Sequence, residues 1–485
     1  MPALSILLTG ATGYVGGLFL PLLEARGHRV RCLARRPDRL RQRAAPATEI
    51  VEGDVRDPAS LSRVMAGVDV AVYLVHSMGS AGSFEQADRE AARSFGAAAA
   101  AAGVRRIVYL GGLGDGRDDL SPHLRSRRET GEVLRESGVP VIELRASIVI
   151  GAGSLSFEMV RSLVERLPVM VCPKWVAVKA QPIAVGDVLA YLVAAAEDET
   201  SRSVVCEIGG PDVVSYGDIM REYARQRGLK RLLIPVPLLT PRLSSLWLRL
   251  VTPLYASVGR WLIDGMRNQT IVMDPEPARR YGVKPRGLME AVFEATRQRG
   301  ERIEALLAEA AGPNAGAALT ALGASGCLMD HRETVVPASP ARAFDPVRRI
   351  GGANGYYYGN PLWTLRAWFD RLLGGIGMRR GRRDQESCVV GDAVDFWRVV
   401  AFEPDRRLTL NAEMKMPGRA WLQFDLVPGN DGEPSRLRQT ALFDPRGLLG
   451  LIYWALMLPA HAFIFRGMLR AIALRGAYQT PGSNR

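Results

Sequence analysis

Gly10, Gly13 and Gly16 carry the clearest chemistry in the chain, within the run Thr9-Gly10-Ala11-Thr12-Gly13-Tyr14-Val15-Gly16-Gly17. The run follows an apolar stretch, Leu4 to Leu8, and leads into helical periodicity from Tyr14. In such a strand–turn–helix, Gly10 permits a sharp turn and Gly13 removes a side chain where a diphosphate must approach backbone N–H groups. Gly16 lets the helix lie close to the strand. The helix N-terminus then faces the phosphates with its partial positive charge. Gly10, Thr12, Gly13, Tyr14, Val15 and Gly16 are therefore the residues expected to cradle a nucleotide, with a tight structural turn as the alternative.

The end of the second strand decides which dinucleotide fits. A carboxylate there holds a free ribose 2′-hydroxyl. Here Val30-Arg31-Cys32-Leu33-Ala34 runs into Arg35-Arg36 with no acid, and a guanidinium fork suits a 2′-phosphate. The expected cofactor is NADP(H) in preference to NAD(H). Asp54 and Val55, after the third strand, are placed for the adenine, with a cap or turn role as the alternative for Asp54. His76 and Ser77, after the fourth, fall where a nicotinamide ribose would sit.

The elements that must position these residues are legible by period. Strand-like runs at Leu4–Thr9, Arg29–Ala34, Thr48–Glu52, Asp69–Val75, Arg105–Leu110 and Val139–Arg145 alternate with helical patterns. That alternation predicts an α/β fold, a doubly wound parallel sheet with helices on both faces. Residues 1–310 form the expected first domain, with a substrate or lid region at about 151–300. Within it, 241–263 (Trp247, Leu250, Leu254 and Trp261 among arginines) reads as core or lid, with membrane contact as the alternative.

These motifs resemble the short-chain dehydrogenase/reductase superfamily, nearest its atypical, extended and NmrA-like branches. The landmarks are TGATGYVG (Thr9–Gly16), GDVRDPASL (Gly53–Leu61), AGVRRIVYLGGLG (Ala102–Gly114) and QPIAVGDVLAYL (Gln181–Leu192). The resemblance implies a Tyr-x-x-x-Lys pair and a Ser on the preceding strand. The matching segment, Ser121 to Arg128, puts His123 at the Tyr position and Arg127 at the Lys position, and Gly111-Gly112 stands near the Ser position. The set is replaced. His123 and Arg127 are the candidate catalytic residues, His123 as a base more readily than as an acid beside an arginine, with an ordinary helix N-terminal residue as the alternative for His123. The implied function is an NADP(H)-dependent oxidoreductase acting on a hydrophobic small molecule. The alternative is a non-catalytic NADPH-binding sensor, assembly or scaffold protein.

After an Ala/Gly-rich stretch at 311–328, read as a linker, the pattern changes to period two. Leu408–Ala412, Trp421–Leu426 and Leu437–Leu442 read as strands, and Gly429-Asn430-Asp431-Gly432 as a hairpin turn. Residues 329–478 are thus expected to form an α+β domain with an antiparallel sheet and a long C-terminal helix. This part resembles a bacterial domain of unknown function fused to such proteins, with a helix-grip-like order. The resemblance implies an apolar cavity, for which Trp397, Trp421, Phe424, Phe443, Tyr453 and Trp454 suit the wall, with a filled core as the alternative. Asn354, Tyr356, Tyr357 and Tyr358 form a Gly-flanked aromatic loop, GGANGYYYGN, expected at a pocket mouth. The uncharged stretch Gly447–Phe465 is long enough for a membrane span, but Pro459 and His461 favour burial within the domain.

Composition bounds the rest. Of 485 residues, 63 are Lys or Arg and 50 Asp or Glu, a net charge of +13. No zinc-finger, RNP or basic-zipper pattern accompanies the charge, so no nucleic-acid partner is expected. Five scattered Cys and five scattered His give neither a disulfide framework nor metal-ligand spacing. No signal-peptide pattern is present. The expectation is a cytoplasmic protein without metal, with association to a membrane surface as the variant.

Overall fold

Short apolar runs separated by amphipathic helices are satisfied by a parallel sheet covered on both faces, and the computed structural model has that architecture. It describes residues 2–41, 43–76, 84–114, 119–236, 265–378, 380–429 and 434–478. The chain divides into two compact units, Met1–Arg299 and Gly300–Arg485. In the first, β1 (Ser5–Thr9), α1 (Tyr14–Ala25), β2 (Arg29–Ala34), α2 (Asp38–Arg41), β3 (Glu49–Glu52), α3 (Pro58–Met65), β4 (Val70–Tyr73), α4 (Phe84–Ala101), β5 (Arg106–Gly112), α5 (Pro122–Glu136) and β6 (Val141–Ala146) follow in order. Then come β7 (Val149–Ile150), α6 (Leu155–Arg166), β8 (Val169–Cys172), β9 (Lys179–Ala180), β10 (Ile183–Ala184), α7 (Val185–Glu197), β11 (Val204–Ile208), β12 (Val214–Ser215), α8 (Tyr216–Gln226) and β13 (Leu232–Pro235).

Seven strands form one parallel sheet in the order β11-β6-β5-β4-β1-β2-β3. The order reverses between β1 and β4, the switch point outside which such sheets bind ligands. Both faces are filled. Phe19, Leu20 and Leu23 of α1 join Leu192 of α7 in one core. Leu61 and Val64 of α3, Phe95 of α4 and Leu134 of α5 form the other. Helix α3 starts where Asp57 accepts from the Ala59 and Ser60 N–H groups, with Pro58 in the first turn, a cap contributing about 1 kcal/mol. The segment 241–263 lies outside the described residues.

A 22-residue helix, Leu288–Glu309, ends the first unit and begins the second. The second unit is a six-stranded antiparallel sheet of β14 (Leu328–Val336), β15 (Ala393–Val394), β16 (Trp397–Glu403), β17 (Arg407–Ala412), β18 (Gly418–Val427) and β19 (Ser435–Pro445), ordered β14-β19-β18-β17-β16-β15. The helices Pro340–Arg348 and Asn360–Leu372 follow β14, and the helix Gly447–Tyr478 ends the unit. Strands β18 and β19 pair from Val427↔Arg436 onward, so the expected hairpin stands, although residues 430–433 of its turn lie outside the described ones.

Three expectations need correction. The stretch 311–328 is not an open linker: Ala315–Ala324 is helical, and Leu322 is buried with Cys327, Trp421 and Leu442. Alanines favour a helix once a neighbouring surface accepts one apolar side. Within the loop Gly351–Asn360, Tyr356 does not face a cavity mouth. Tyr356 is fully buried, stacks on Trp363 with ring centroids 4.6 Å apart and donates to Asp395 Oδ2 at 3.0 Å. The helix Gly447–Tyr478 is not enclosed: Ile464, Phe465, Met468, Leu469 and Ile472 enter the core, while Leu449, Ile452, Leu456 and Phe463 are exposed. All five cysteines are buried, and none forms a disulfide. Burial, reinforced by Glu24, raises the Cys32 thiol to about 12.

Candidate functional site

The glycine turn is built by close approaches that only a missing side chain allows. Gly10 has φ +76°, and a Cβ there would sit 2.5 Å from the Leu74 carbonyl oxygen, just past β4. A Cβ on Gly16 would lie 2.3 Å from the Gly10 carbonyl oxygen. The Gly13 N–H donates to Gly10 O at 2.9 Å, closing the turn. Gly13 is also the N-cap of α1, which has no side-chain cap and no acid in its first turn. The leading N–H groups of α1 therefore lack a side-chain acceptor, as an anion site requires. Thr12 and Gly13 are exposed at the turn, and Tyr14 and Val15 are half-buried against the core. The cradle fits a dinucleotide diphosphate.

Arg35 and Arg36 follow β2, exposed, and neither makes an ion pair with a described residue. Their neighbours are engaged: Arg31 donates to Glu49 at 2.6 Å and to the Val64 and Ala66 carbonyls, and Arg41 pairs with Asp38. Asp54 sits in a turn, accepting from Asp57 N–H at 3.0 Å. Its hydrogen-bonded Arg56 partner, 2.9 Å away, holds its carboxyl below the usual range. The helix cap is Asp57, not Asp54. The Val55 side chain is buried in the core.

A chain of hydrogen-bonded titratable groups lies past β4. His76 Nδ1 is 2.8 Å from Asp88 Oδ2, and His76 Nε2 is 3.1 Å from His123 Nδ1. The same Asp88 oxygen accepts from Ser126 Oγ at 3.0 Å. A carboxylate only accepts, so His76 presents Nδ1–H to Asp88. Its Nε2 then accepts from His123 Nδ1–H, leaving His123 Nε2 as an open acceptor. Burial lowers the basicity of His76 against the opposing pull of Asp88. Burial first, then Arg127 and His76, takes His123 down to about 3. Arg127 itself donates to the Leu110 carbonyl at the end of β5, beside the Tyr109 ring. Ser77 lies outside the described residues.

The sequence brings His76 and His123 forward separately, not as a pair, and passes over Asp88 and Ser126. One signal was available. Phe84, Asp88, Ala91, Ala92, Phe95 and Ala99 recur at helical spacing, so Asp88 is a charge within an apolar stripe, and it is 4% exposed. Buried charges need partners. Among the described residues, no group of three or more His, Cys, Asp or Glu is placed to hold a metal.

A seven-stranded parallel sheet with a glycine cradle at its switch point defines a dinucleotide-binding Rossmann domain. Residues 10–150 match the family described as NAD(P)H-binding, and residues 326–468 match one described as a protein of unknown function, DUF2867. The chain is 36% identical over 214 residues to the (4-alkanoyl-5-oxo-2,5-dihydrofuran-3-yl)methyl phosphate reductase of Streptomyces griseus subsp. griseus, spanning 42% of this chain and 72% of that one. It is 28% identical over 235 residues to the ceramide reductase of Caulobacter vibrioides, spanning 48% and 73%. The solved triphenylmethane reductase of Citrobacter sp. shares the fold, with a TM-score of 0.50 and 17% identity over 60% of this chain and 99% of that one. The chain belongs to the family of NAD(P)H-binding reductases that includes the Streptomyces protein.

Proposed function

We propose that the protein is an NADP(H)-dependent reductase of a lipophilic carbonyl or conjugated enone, in which the Asp88–His76–His123 chain replaces the usual Tyr/Lys/Ser set. The observation that carries it is that chain of hydrogen bonds, 2.8 and 3.1 Å long. It begins at His76, two residues beyond the Leu74 carbonyl that closes over Gly10. The cradle from Gly10 to Gly16 would hold the diphosphate, and Arg35 and Arg36 the 2′-phosphate. Bound NADPH supplies a hydride. The chain's own residues supply the proton.

A proton taken up from solvent puts the pair in a loaded state, in which the Asp88 carboxylate holds His76 protonated on both nitrogens and His123 carries its proton on Nε2. His123 gives that proton to the substrate oxygen as His76 Nε2–H passes its own to His123 Nδ1. Both imidazoles end neutral, and one proton is delivered. Arg127 disfavours cationic His123 and His76, which drives the proton outward. Alkanoyl and ceramide substrates in the relatives' names support a lipophilic substrate. The strand and helix order of the second unit supports the helix-grip reading of its fold.

Titration with NADPH and NADH, followed by a carbonyl and enone screen at the NADPH absorbance band, tests the proposal. NADPH oxidation lost in His123→Ala and His76→Ala supports it. Binding without turnover of any substrate favours the second reading, a binding protein with NADPH as its input. Gly111 and Gly112, which leave no hydroxyl at the Ser position, are the observation behind that reading.

A further inference from the structure

The two outer helices of the second unit carry a feature the reductase reading does not use. On Gly447–Tyr478, the exposed residues Leu449, Ile452, Leu456 and Phe463 fall at i, i+3, i+7 and i+14, one side of a helix. On Asn360–Leu372, Leu365, Trp368, Phe369 and Leu372 fall at i, i+3, i+4 and i+7. Leu449 is 72% exposed, Leu456 68%, Leu372 63% and Trp368 51%. The two helices are neighbours: the Arg366 guanidinium lies 5.9 Å from the Tyr453 ring centroid. An apolar cavity of about 260 Å³ separates them from the sheet, lined by Trp363, Phe369, Trp421, Trp454 and Phe465 among others. Leu365 and Phe369 belong to its lining and to the exposed face alike, so the cavity opens on that face. Trp363 lines it too, and its buried indole N–H has no hydrogen-bond partner among the described residues.

The exposed charges of the two helices have one sign. Gly447–Tyr478 contains no Asp or Glu, and Asn360–Leu372 contains only Asp370, which is buried and caps the backbone of Gly377 and Lys415. Arg371, Arg446, Arg466, Arg470 and Lys415 are exposed, and none forms an ion pair with a described residue. Aromatic and leucine side chains edged by unpaired guanidinium groups match the boundary of an anionic bilayer. There the rings sit at headgroup level and the arginines reach phosphate.

We propose that this face of the second unit docks on anionic lipid bilayers, lying in the interface without crossing it. The proposal is independent of what the first unit binds. The test is sedimentation of the full chain with vesicles of phosphatidylcholine alone and of phosphatidylcholine mixed with phosphatidylglycerol. The expected result is binding to the mixed vesicles, weak binding to the neutral ones, and release by salt. Arg371→Ala with Arg466→Ala lowers the partition coefficient by about 30-fold, and Leu372→Glu with Leu456→Glu lowers it at least about tenfold, with unchanged circular dichroism. Failure to sediment with the mixed vesicles, or sedimentation unaffected by either pair, overturns the proposal. So does resistance to carbonate extraction from cells, which means a span. A homodimer in solution that Leu372→Glu with Leu456→Glu converts to monomer also overturns it, since the face is then covered by a second copy.

Discussion

Acidifying the solution should weaken the first unit through His123 in particular. The native imidazole gains its proton only near pH 3, whereas an unfolded histidine gains it near 6.5. Between those values the unfolded chain binds the extra proton, so stability falls as pH falls. The contribution is fully present above about 6.5 and is lost progressively down to about 3. At pH 5 the loss is about 1.5 pH units at 1.36 kcal/mol each, about 2 kcal/mol. His123→Gln removes the titration and keeps a polar side chain, so its own cost is a pH-independent offset. Urea unfolding of both proteins at pH 7, 6 and 5, with two transitions fitted for the two units, should show the wild-type advantage shrinking by about 2 kcal/mol across that range. Carbon-13-edited NMR of the imidazole signals gives the direct check. A His123 resonance that titrates near 6.5, or a wild-type-to-variant difference constant with pH, refutes the reasoning.

Asp88→Asn removes the anion that fixes the His76 tautomer. It should lower kcat about 100-fold while leaving the NADPH Kd unchanged, as read by steady-state kinetics and fluorescence titration. Arg35→Ala with Arg36→Ala should weaken NADPH about 30-fold and leave NADH alone, about 2 kcal/mol of charge-assisted hydrogen bonding. Gly16→Ala puts a methyl 2.3 Å from the Gly10 carbonyl oxygen. It should cost about 1–3 kcal/mol, visible as a lower Tm of the first transition, and should raise the NADPH Kd in calorimetry. Asp425, in the second unit, should contribute in the opposite sense. Burial raises its carboxyl to about 6, so its native form holds a proton that the unfolded chain releases near 3.8, and its own contribution should grow as pH falls from 6 to 4. The stability difference between the wild type and Asp425→Asn should therefore shift in favour of the wild type over that range.

The sheet and the cradle were legible because both are local. Short apolar runs and glycines at a strand–helix junction both act within a few residues of themselves. The hydrogen-bonded chain of Asp88, His76 and His123 was not, because tertiary packing makes it. His76 and His123 are 47 residues apart, and the carboxylate that joins them hangs from a third element. The second unit shows a related limit. Its last helix is apolar on nearly every side, so composition does not say which side meets the sheet. The core chose the side of Ile464, Met468 and Ile472. The alanine-rich stretch after Glu309 misled for a similar reason: small residues read as a tether until a partner surface turns them into a helix.

The buried thiols have a practical consequence. Cys32, Cys172 and Cys206 belong to the first unit, Cys327 and Cys388 to the second. Alkylating reagents reach such sulfur atoms only when the surrounding structure opens. Peptide mapping after a timed pulse of iodoacetamide thus reads the opening of each half of the molecule separately, with no engineered label.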